Sequence, residues 1–176
     1  MNPALASFSD LVVMNWSIQG CNVLVAELSS LDGTELPDWE AGAHIDIKAS
    51  DSMGHDVVRQ YSLCGRNGKR NWRIAVLGDP NGSGASLNLQ EKIKAGQTLQ
   101  ARGPRNLFGL KFDDQPVVLV AGGIGITPIL AMAEALSLQK RKFRLHYHAR
   151  SHKSAAFVDE LKSSVSADSV IFSFDD

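Results

Sequence analysis

The pentapeptide Arg-Gln-Tyr-Ser-Leu, residues 59–63, combines a cation, an aromatic ring and a hydroxyl in a stretch typical of a β-strand. In a strand, Arg59, Tyr61 and Leu63 share one face, and Gln60 and Ser62 share the other. A bound flavin would require a cation for its phosphate, a flat ring to cover its own ring, and a hydrogen-bonding group near its reactive nitrogen. Arg59, Tyr61 and Ser62 would supply one of each. The alternative for so short a motif is an ordinary strand with a surface arginine and a half-buried tyrosine.

A second segment of small residues, Gly-Ser-Gly-Ala-Ser over residues 82–86, precedes a predicted helix. Small residues let the backbone approach a phosphate closely, and the exposed N–H groups and the helix dipole attract its charge. We therefore predict a phosphate loop, with Ser86 as the N-cap of a helix over 87–94 that ends at Gly96. A plain glycine turn capped by a serine is the alternative.

A third segment, Gly-Gly-Ile-Gly-Ile-Thr-Pro over residues 122–128, lies between a predicted strand and a predicted helix. That context is typical of a turn that binds the pyrophosphate of a dinucleotide, although the glycine spacing is not Gly-x-Gly-x-x-Gly. Thr127 is the predicted N-cap of the helix and Pro128 its first residue. A tight strand-to-helix turn without a ligand is the alternative.

Arg150 and Ser151 follow the second strand of the same predicted sheet. Ligands of open α/β sheets lie beyond the carboxyl ends of the strands, so these residues would face the adenosine side of a dinucleotide. A solvated loop arginine is the alternative. No metal site is predicted, because the five histidines lack metal-ligand spacing and two cysteines cannot hold an iron–sulfur cluster.

The elements that must position these residues fall into two groups. Six β-rich runs punctuated by Gly, Asp and Asn predict an antiparallel barrel or sandwich, over 11–18, 21–28, 44–48, 57–63, 72–77 and 98–101. Beyond residue 113 strands and helices alternate, which predicts a parallel sheet with right-handed crossovers. Its strands are expected at 117–121, 143–149 and 170–174, with the first buried on both faces, and its helices at 127–139 and 154–163. The predicted domains are therefore 1–112 and 113–176.

Composition excludes several classes of function. Lys and Arg total 18 against 19 for Asp and Glu, with no basic stripe, so a nucleic-acid partner is not expected. The N-terminus lacks the pattern of a signal peptide, and the apolar runs are too short to span a bilayer. Reduced thiols in the cytoplasm are the simplest interpretation of the two cysteines.

Taken together and in this order, the motifs resemble the phthalate dioxygenase reductase family, which includes vanillate demethylase reductases. The resemblance rests on Arg-Gln-Tyr-Ser-Leu-Cys, the Gly-Ser turn, Gly-Pro-Arg-Asn-Leu-Phe at 103–108, Gly-Gly-Ile-Gly-Ile-Thr-Pro, and His-Tyr-His-Ala-Arg-Ser at 146–151. It implies a ferredoxin-reductase-like fold: a Greek-key antiparallel flavin-binding barrel, followed by a partial parallel-sheet nucleotide-binding domain. It also implies that electrons pass from NADH through FMN, with FAD as the alternative, to a [2Fe–2S] cluster and an oxygenase component.

The resemblance also assigns roles to residues. Arg59 matches the ligand of the flavin phosphate, Tyr61 the aromatic packed on the ring, and Ser62 the catalytic hydroxyl near the flavin N5. The other residues matched to cofactor binding are Leu63, Gly84, Ser86, Gly123, Gly125, Thr127 and Arg150. In place of the two adjacent glycines that family members typically carry before the serine, this sequence has Gly84 and Ala85.

Two features of the family are absent from these 176 residues: a later Cys-Gly-Pro segment and the four-cysteine cluster domain. We therefore expect the chain to be a C-terminally shortened form that binds flavin better than it oxidises NADH. Two other functions stay open, a stand-alone flavin reductase and a non-catalytic flavin-binding module. A C-x4-C-x2-C run beyond residue 176 would favour the reductase component.

Overall fold

The first part of the chain forms an antiparallel sheet of six strands. The computed structural model describes residues 5–68, 70–111 and 115–176. In it the strands pair in the order β4-β3-β6-β1-β2-β5. Their bounds are β1 Leu5–Gln19, β2 Val23–Ser30, β3 Ala43–Ser50, β4 Asp56–Ser62, β5 Trp72–Leu77 and β6 Thr98–Asn106. Since β6 lies between β3 and β1, the chain returns across the sheet after β5, as in a Greek key.

The two ends of this sheet meet and close a barrel. Leu63, just after β4, forms an isolated antiparallel bridge with Ile74 of β5. The backbone N–H of Cys64 donates to the carbonyl of Arg73 at 2.9 Å. Alternate residues of the strands point inward and fill the interior with large apolar side chains, including Trp72, Ile45 and Leu63, all fully buried. The predicted barrel is therefore confirmed.

Helix α1, Ala85–Lys92, packs against the barrel core, and it begins two residues before the predicted start at residue 87. Gly84 precedes it in the left-handed region (φ 82°), and no side chain caps the first turn. The prediction that Ser86 is the N-cap is therefore wrong. Its Oγ instead accepts a hydrogen bond from the backbone N–H of Asp79 at 3.0 Å.

The second part of the chain is a parallel sheet in the order β7-β8-β9 with helices between the strands. The strands are β7 Val117–Gly122, β8 Phe143–Ala149 and β9 Val170–Phe174, and the helices are α2 Ile126–Leu138 and α3 Val158–Ser164. Short 3-10 turns at Gly123–Gly125, His152–Ser154 and Ala167–Ser169 complete the described elements. The predicted start of α3 at residue 154 is wrong, because Ser151 and Ser154 cap one another in a separate turn.

Only one face of the parallel sheet is covered in the described residues. Leu119 and Ala121 of β7 are buried in the core cluster that includes α2 and α3. Val118 and Val120 on the opposite face are 63% and 70% exposed, so the prediction that this strand is buried on both faces is wrong for this chain. The apolar run predicted the strand correctly, but apolar residue types alone do not say what covers each face.

The barrel and the α/β unit share a core. Val23, Val25 and Ala75 on the outside of the barrel belong to the same buried cluster as Leu130 and Phe157 of the α/β unit. No helix in the described ranges is both long and apolar enough to cross a membrane. The predicted boundary between the two units, at 112/113, falls on residues outside the described ones.

Candidate functional site

A cavity of about 620 Å³ lies where the barrel meets the α/β unit. Its lining comes from β4, from the turn that leads into α1, and from the start of α2, so three of the sequence motifs meet here. The lining residues that belong to these motifs are Arg59, Gln60, Tyr61, Ser62, Gly82, Ser83, Ala85, Ser86, Ile124, Gly125, Thr127 and Pro128.

Arg59 extends from β4 towards the turn before α1. Its Nη2 donates to Ser83 Oγ at 3.0 Å and its Nη1 to the carbonyl of Val58 at 3.1 Å. These bonds hold the guanidinium beside the turn while its remaining N–H groups are free to bind an anion. Ser83 was not singled out from the sequence, although it lies within the predicted phosphate loop.

Gly84 keeps the turn close to a neighbouring loop. A Cβ at this position would lie 2.9 Å from the Cβ of Ser52, and its φ of 82° is one that side chains disfavour. The backbone N–H of Ser52 donates to the carbonyl of Ser83 at 2.9 Å and ties the two loops together. Ala85 stands where the family has a second glycine, and it is buried as the first residue of α1.

Tyr61 and Ser62 line the cavity, whereas Leu63 does not. Tyr61 is half-buried against the barrel core, and this burial raises the pKa of its phenol, so the ring is neutral at physiological pH. Leu63 is completely buried inside the barrel. The predicted role of Leu63 as a cofactor contact is therefore not supported by the position of its side chain.

The glycine turn after β7 presents open backbone. A Cβ on Gly122, Gly123 or Gly125 would meet no atom within 4 Å, and Gly123 has a φ of 49°. Gly125 and Thr127 line the cavity, while Gly123 lies just outside its lining. Thr127 is inside α2 and donates from Oγ1 to the carbonyl of Ile124 at 3.1 Å. The prediction that Thr127 is the N-cap is therefore wrong.

Arg150 lies at the carboxyl end of β8, outside this cavity and exposed to solvent. Two reciprocal hydrogen bonds form a capping box in the turn that follows it. The backbone N–H of Ser154 donates to Ser151 Oγ at 3.1 Å and that of Ser151 to Ser154 Oγ at 3.0 Å. Arg150 therefore sits at the same edge of the sheet as the glycine turn but does not contact the other motif residues.

A polar cluster beside the cavity was missed in the sequence. Asp46 of β3 is 1% exposed. It accepts hydrogen bonds from Arg102 at 3.1 and 2.6 Å and from Arg105 at 2.6 Å. His44, two residues before Asp46, has a buried Nε2 that makes no hydrogen bond to the described residues. The alternation of the polar residues His44, Asp46 and Lys48 along β3 could have indicated this cluster, but we used it only to predict the strand.

Within the described part of the chain no group of three or more His, Cys, Asp or Glu side chains could hold a metal ion. The cavity offers a fixed cation at Arg59, the neutral phenol ring of Tyr61 and backbone N–H groups at two turns of small residues. Its lining also carries four hydroxyl-bearing residues, Ser62, Ser83, Ser86 and Thr127.

Comparison with known proteins identifies relatives along almost the whole chain, although no protein-family model matches it. Vanillate O-demethylase oxidoreductase of Pseudomonas putida is 41% identical over 168 residues, which are 95% of this chain and 51% of the relative. Phthalate dioxygenase reductase of Burkholderia cepacia is 40% identical over 139 residues, 78% of this chain and 42% of the relative. The chain thus spans about half the length of the curated relatives it matches.

Solved structures show the same relationship. Phthalate dioxygenase reductase, a modular structure for electron transfer from pyridine nucleotides to [2Fe–2S], superimposes with a TM-score of 0.86 at 35% identity. The match covers 96% of this chain and 52% of that one. An intact type IV self-sufficient cytochrome P450 monooxygenase superimposes with a TM-score of 0.88 at 36% identity, over 95% of this chain and 21% of that one. Over most of its length the chain is thus similar to reductases of the phthalate dioxygenase reductase family, and it has their ferredoxin-reductase-like fold.

Proposed function

We propose that this chain is the flavin- and nicotinamide-binding part of a reductase that supplies electrons to an aromatic-ring oxygenase or demethylase of the Rieske type. The observation that carries the proposal is the meeting of three motif segments in a single cavity of about 620 Å³. That volume lies within the range of roughly 300–1,000 Å³ that is usual for small-molecule and cofactor sites.

The residues of the cavity fit a flavin. Arg59, held by Ser83, supplies a fixed cation for a phosphate, and the backbone ahead of α1 supplies N–H groups beside it. Tyr61 offers a neutral ring against which a flat heterocycle can pack. The hydroxyl of Ser62 can donate a hydrogen bond to a ring nitrogen, and Ser62 is the residue to which we assign the catalytic role.

A bound flavin accepts two electrons together with a proton and releases the electrons one at a time, chemistry that belongs to the cofactor. The chain binds it, orients it and limits its contact with water. Arg59 fixes the phosphate end, Tyr61 covers the ring, and Ser62 positions a hydrogen bond at the edge where protons enter and leave.

We propose FMN as the flavin, on the family resemblance. Arg59 and the turn that contains Gly84 and Ser86 would bind the phosphate nearest the flavin ring, a group that FMN and FAD share. FAD is the alternative, and mass spectrometry of the cofactor released by heating distinguishes the two.

We propose NADH as the electron donor, bound at the glycine turn after β7. The open backbone at Gly123 and Gly125 leaves room for a pyrophosphate, and α2 begins directly behind it. Thr127, near the start of α2, also lines the proposed flavin cavity. Arg150, at the carboxyl end of the neighbouring strand β8, would contact the adenosine side, which is consistent with its position outside the flavin cavity.

In the whole protein, the electrons would pass to a [2Fe–2S] cluster and then to an oxygenase partner in the cytoplasm. This part of the proposal rests on the relatives, which are about twice as long as the aligned segment and include a reductase that transfers electrons to [2Fe–2S]. We propose 1–112 as the flavin domain and 113–176 as part of the nucleotide domain.

Titration of the purified chain with FMN tests the proposal. Binding should quench the fluorescence of the added FMN, and the FMN should remain bound through dialysis. NADH should then lower the main visible absorbance band of the bound flavin. Riboflavin, which lacks the phosphate, is the matched control and should bind far more weakly. Equal affinity for FMN and riboflavin would contradict a phosphate site at Arg59.

A further inference from the structure

A second cavity, of about 290 Å³, lies where the barrel meets the second half of α2. It shares no lining residue with the cavity that contains Arg59 and Tyr61. On the barrel side, its walls come from residues 39–41 before β3 and 65–67 after β4. On the helix side, they come from one face of α2, formed by Ala131, Glu134, Ala135 and Leu138. The two alanines have no side-chain atom beyond Cβ, which leaves the space between helix and barrel open.

Two side chains of this cavity have buried polar atoms without a partner. Trp39 is 7% exposed, and its indole Nε1–H donates to no acceptor among the described residues. Glu134 is 5% exposed, and its Oε2 makes no hydrogen bond within the same part of the chain. The buried indole of Trp72, by contrast, donates to the carbonyl of Pro37 at 3.1 Å. Buried polar atoms are rarely left unpaired, because they lose their hydration and gain nothing in return. A molecule bound in the cavity would supply the two missing partners.

The surroundings of Glu134 favour its neutral form. Burial, and then repulsion by Glu160, raises the pKa of the Glu134 carboxyl, and the opposing effects of Arg73, Arg66 and Ser164 are smaller. Two hydrogen bonds already join Arg73 to Glu160. A neutral carboxyl can donate as well as accept a hydrogen bond, and it offers no charge to an ammonium ligand. The occupant that fits this cavity is therefore uncharged.

We propose that this cavity binds a small uncharged molecule with an apolar body and an amide-like group that carries one hydrogen-bond acceptor and one donor. The acceptor takes the hydrogen bond of Trp39 Nε1–H, and the donor is bonded to Glu134 Oε2. The apolar body packs against Leu110, Ala131 and Leu138. Cofactor and ligand pockets combine a largely apolar wall with a few placed polar groups in this way, and the volume is close to the lower end of their usual range of roughly 300–1,000 Å³.

Benzamide is a suitable probe, because its ring and its amide together match the apolar wall and the two polar atoms. In the chain labelled with ¹⁵N-tryptophan, benzamide should shift the indole resonance of Trp39 and saturate, with a dissociation constant on the order of 1 mM for so small a ligand. Acetophenone has the same shape and the same acceptor but no donor. It should bind about tenfold more weakly, the equivalent of one hydrogen bond. Benzoate and benzylamine, which are charged, should bind more weakly than benzamide as well.

Variants of α2 locate the probe, with saturation-transfer NMR of benzamide as the readout. Ala135→Leu fills the cavity from the helix side without removing a polar group, and it should abolish binding. Glu134→Leu should also abolish binding, yet it should raise the urea midpoint of unfolding, because an unpaired buried carboxyl is replaced by an apolar side chain. Glu134→Gln keeps a donor and an acceptor and should still bind.

The indole N–H has its own test. Trp39→Phe keeps an aromatic ring but has no N–H, so benzamide should bind about tenfold more weakly. Trp16→Phe, at an exposed indole on β1, is the matched control and should bind benzamide as the unmodified chain does.

Four results would overturn the proposal. The first is a Trp39 resonance that no concentration of benzamide shifts, and the second is binding that survives in Ala135→Leu, which would place the probe elsewhere. The third is tighter binding of acetophenone, benzoate or benzylamine than of benzamide, because the cavity would then select another chemistry. The fourth is a Glu134→Leu variant that is less stable or fails to fold, because the carboxyl would then serve the fold and not a ligand.

Discussion

Arg73 of β5 and Glu160 of α3 form a two-point ion pair that joins the barrel to the α/β unit. Nη1 lies 3.1 Å from Oε2 and Nη2 lies 2.5 Å from Oε1, with the two side chains only 25% and 27% exposed. The guanidinium also lies over the ring of Phe157, 5.5 Å from its centre. The pair spans the junction that carries the proposed site, so its loss should affect both stability and site geometry.

We expect Arg73→Met to lower the free energy of unfolding by about 1–3 kcal/mol, because it leaves Glu160 partly buried without its partner. Glu160→Gln should cost a similar amount, and the double variant should cost less than the sum of the two. Urea denaturation of the four proteins measures this coupling. Strict additivity would show that the pair does not hold the two units together.

Arg59→Ala should weaken FMN binding by a few kcal/mol, because a charge-assisted contact to the phosphate is lost. Arg59→Lys should recover only part of the loss, since a lysine cannot donate to Ser83 and to a phosphate in the same fork geometry. Arg70→Ala, at an exposed residue outside the cavity lining, is the control. Flavin retention that is unchanged after dialysis of Arg59→Ala would contradict the assignment.

Gly33, which lies outside the phosphate turn, is a matched control for a substitution at Gly84 within it. Their φ values are 82° and 75°, but a Cβ on Gly84 would meet Ser52 at 2.9 Å, whereas one on Gly33 meets nothing within 4 Å. Both substitutions to alanine should cost about 1 kcal/mol from the strained backbone. Gly84→Ala should cost more and should also weaken FMN binding. Equal losses of stability in urea would mean that the loop at Ser52 moves freely aside.

The sequence predicted those parts of the fold that depend on the periodicity of apolar residues and on the positions of small residues. The alternation of the barrel strands and the change to strand–helix alternation after residue 113 predicted both units. The Greek-key character of the barrel came from the resemblance, and the order of the strands was not predicted, because hydrogen-bonded partners that are distant in sequence leave no local signal. The prediction that β7 is buried on both faces was also wrong. Whether another element covers Val118 and Val120 depends on tertiary structure, which the local sequence does not reveal.

The N-cap residues of α1 and α2 could not be predicted correctly from residue type. Ser86 and Thr127 are favourable N-cap residues, yet both helices begin one residue before them, after Gly84 and Gly125. Before α1 the chain turns through the left-handed region at Gly84, whereas before α2 the 3-10 turn that ends at Gly125 continues directly into the helix. The hydroxyls bond backbone atoms of the preceding turns instead. Cross-strand pairs such as His44 and Ser62 were also out of reach, because their residue numbers differ by 18 and only the register joins them.

The two cysteines should differ sharply in reactivity. Cys21 is exposed, whereas Cys64 is enclosed at the junction, where burial, partly offset by the nearby Arg73, raises its pKa to about 11. At pH 8 the thiol of Cys64 is therefore neutral as well as inaccessible, and only thiolates react rapidly. Iodoacetamide should modify one thiol in the native chain and two in guanidinium chloride, as counted by mass spectrometry. Modification of Cys64 under native conditions would indicate that the junction opens readily.

The 176-residue chain should associate through its parallel sheet. Val118, Val120 and Ile171 are 63%, 70% and 43% exposed on the face opposite the helices, and β7 is an edge strand of the sheet in the described part of the chain. Apolar patches joined to a free strand edge favour pairing with another copy. Light scattering after size exclusion should show a mass that rises with concentration. Val120→Lys should return the chain to a monomer, whereas Leu138→Lys, which changes an exposed apolar residue at the end of α2, should not. A monodisperse monomer at every concentration would mean that this face is stable in water, and the expectation drawn from its exposed valines would be wrong.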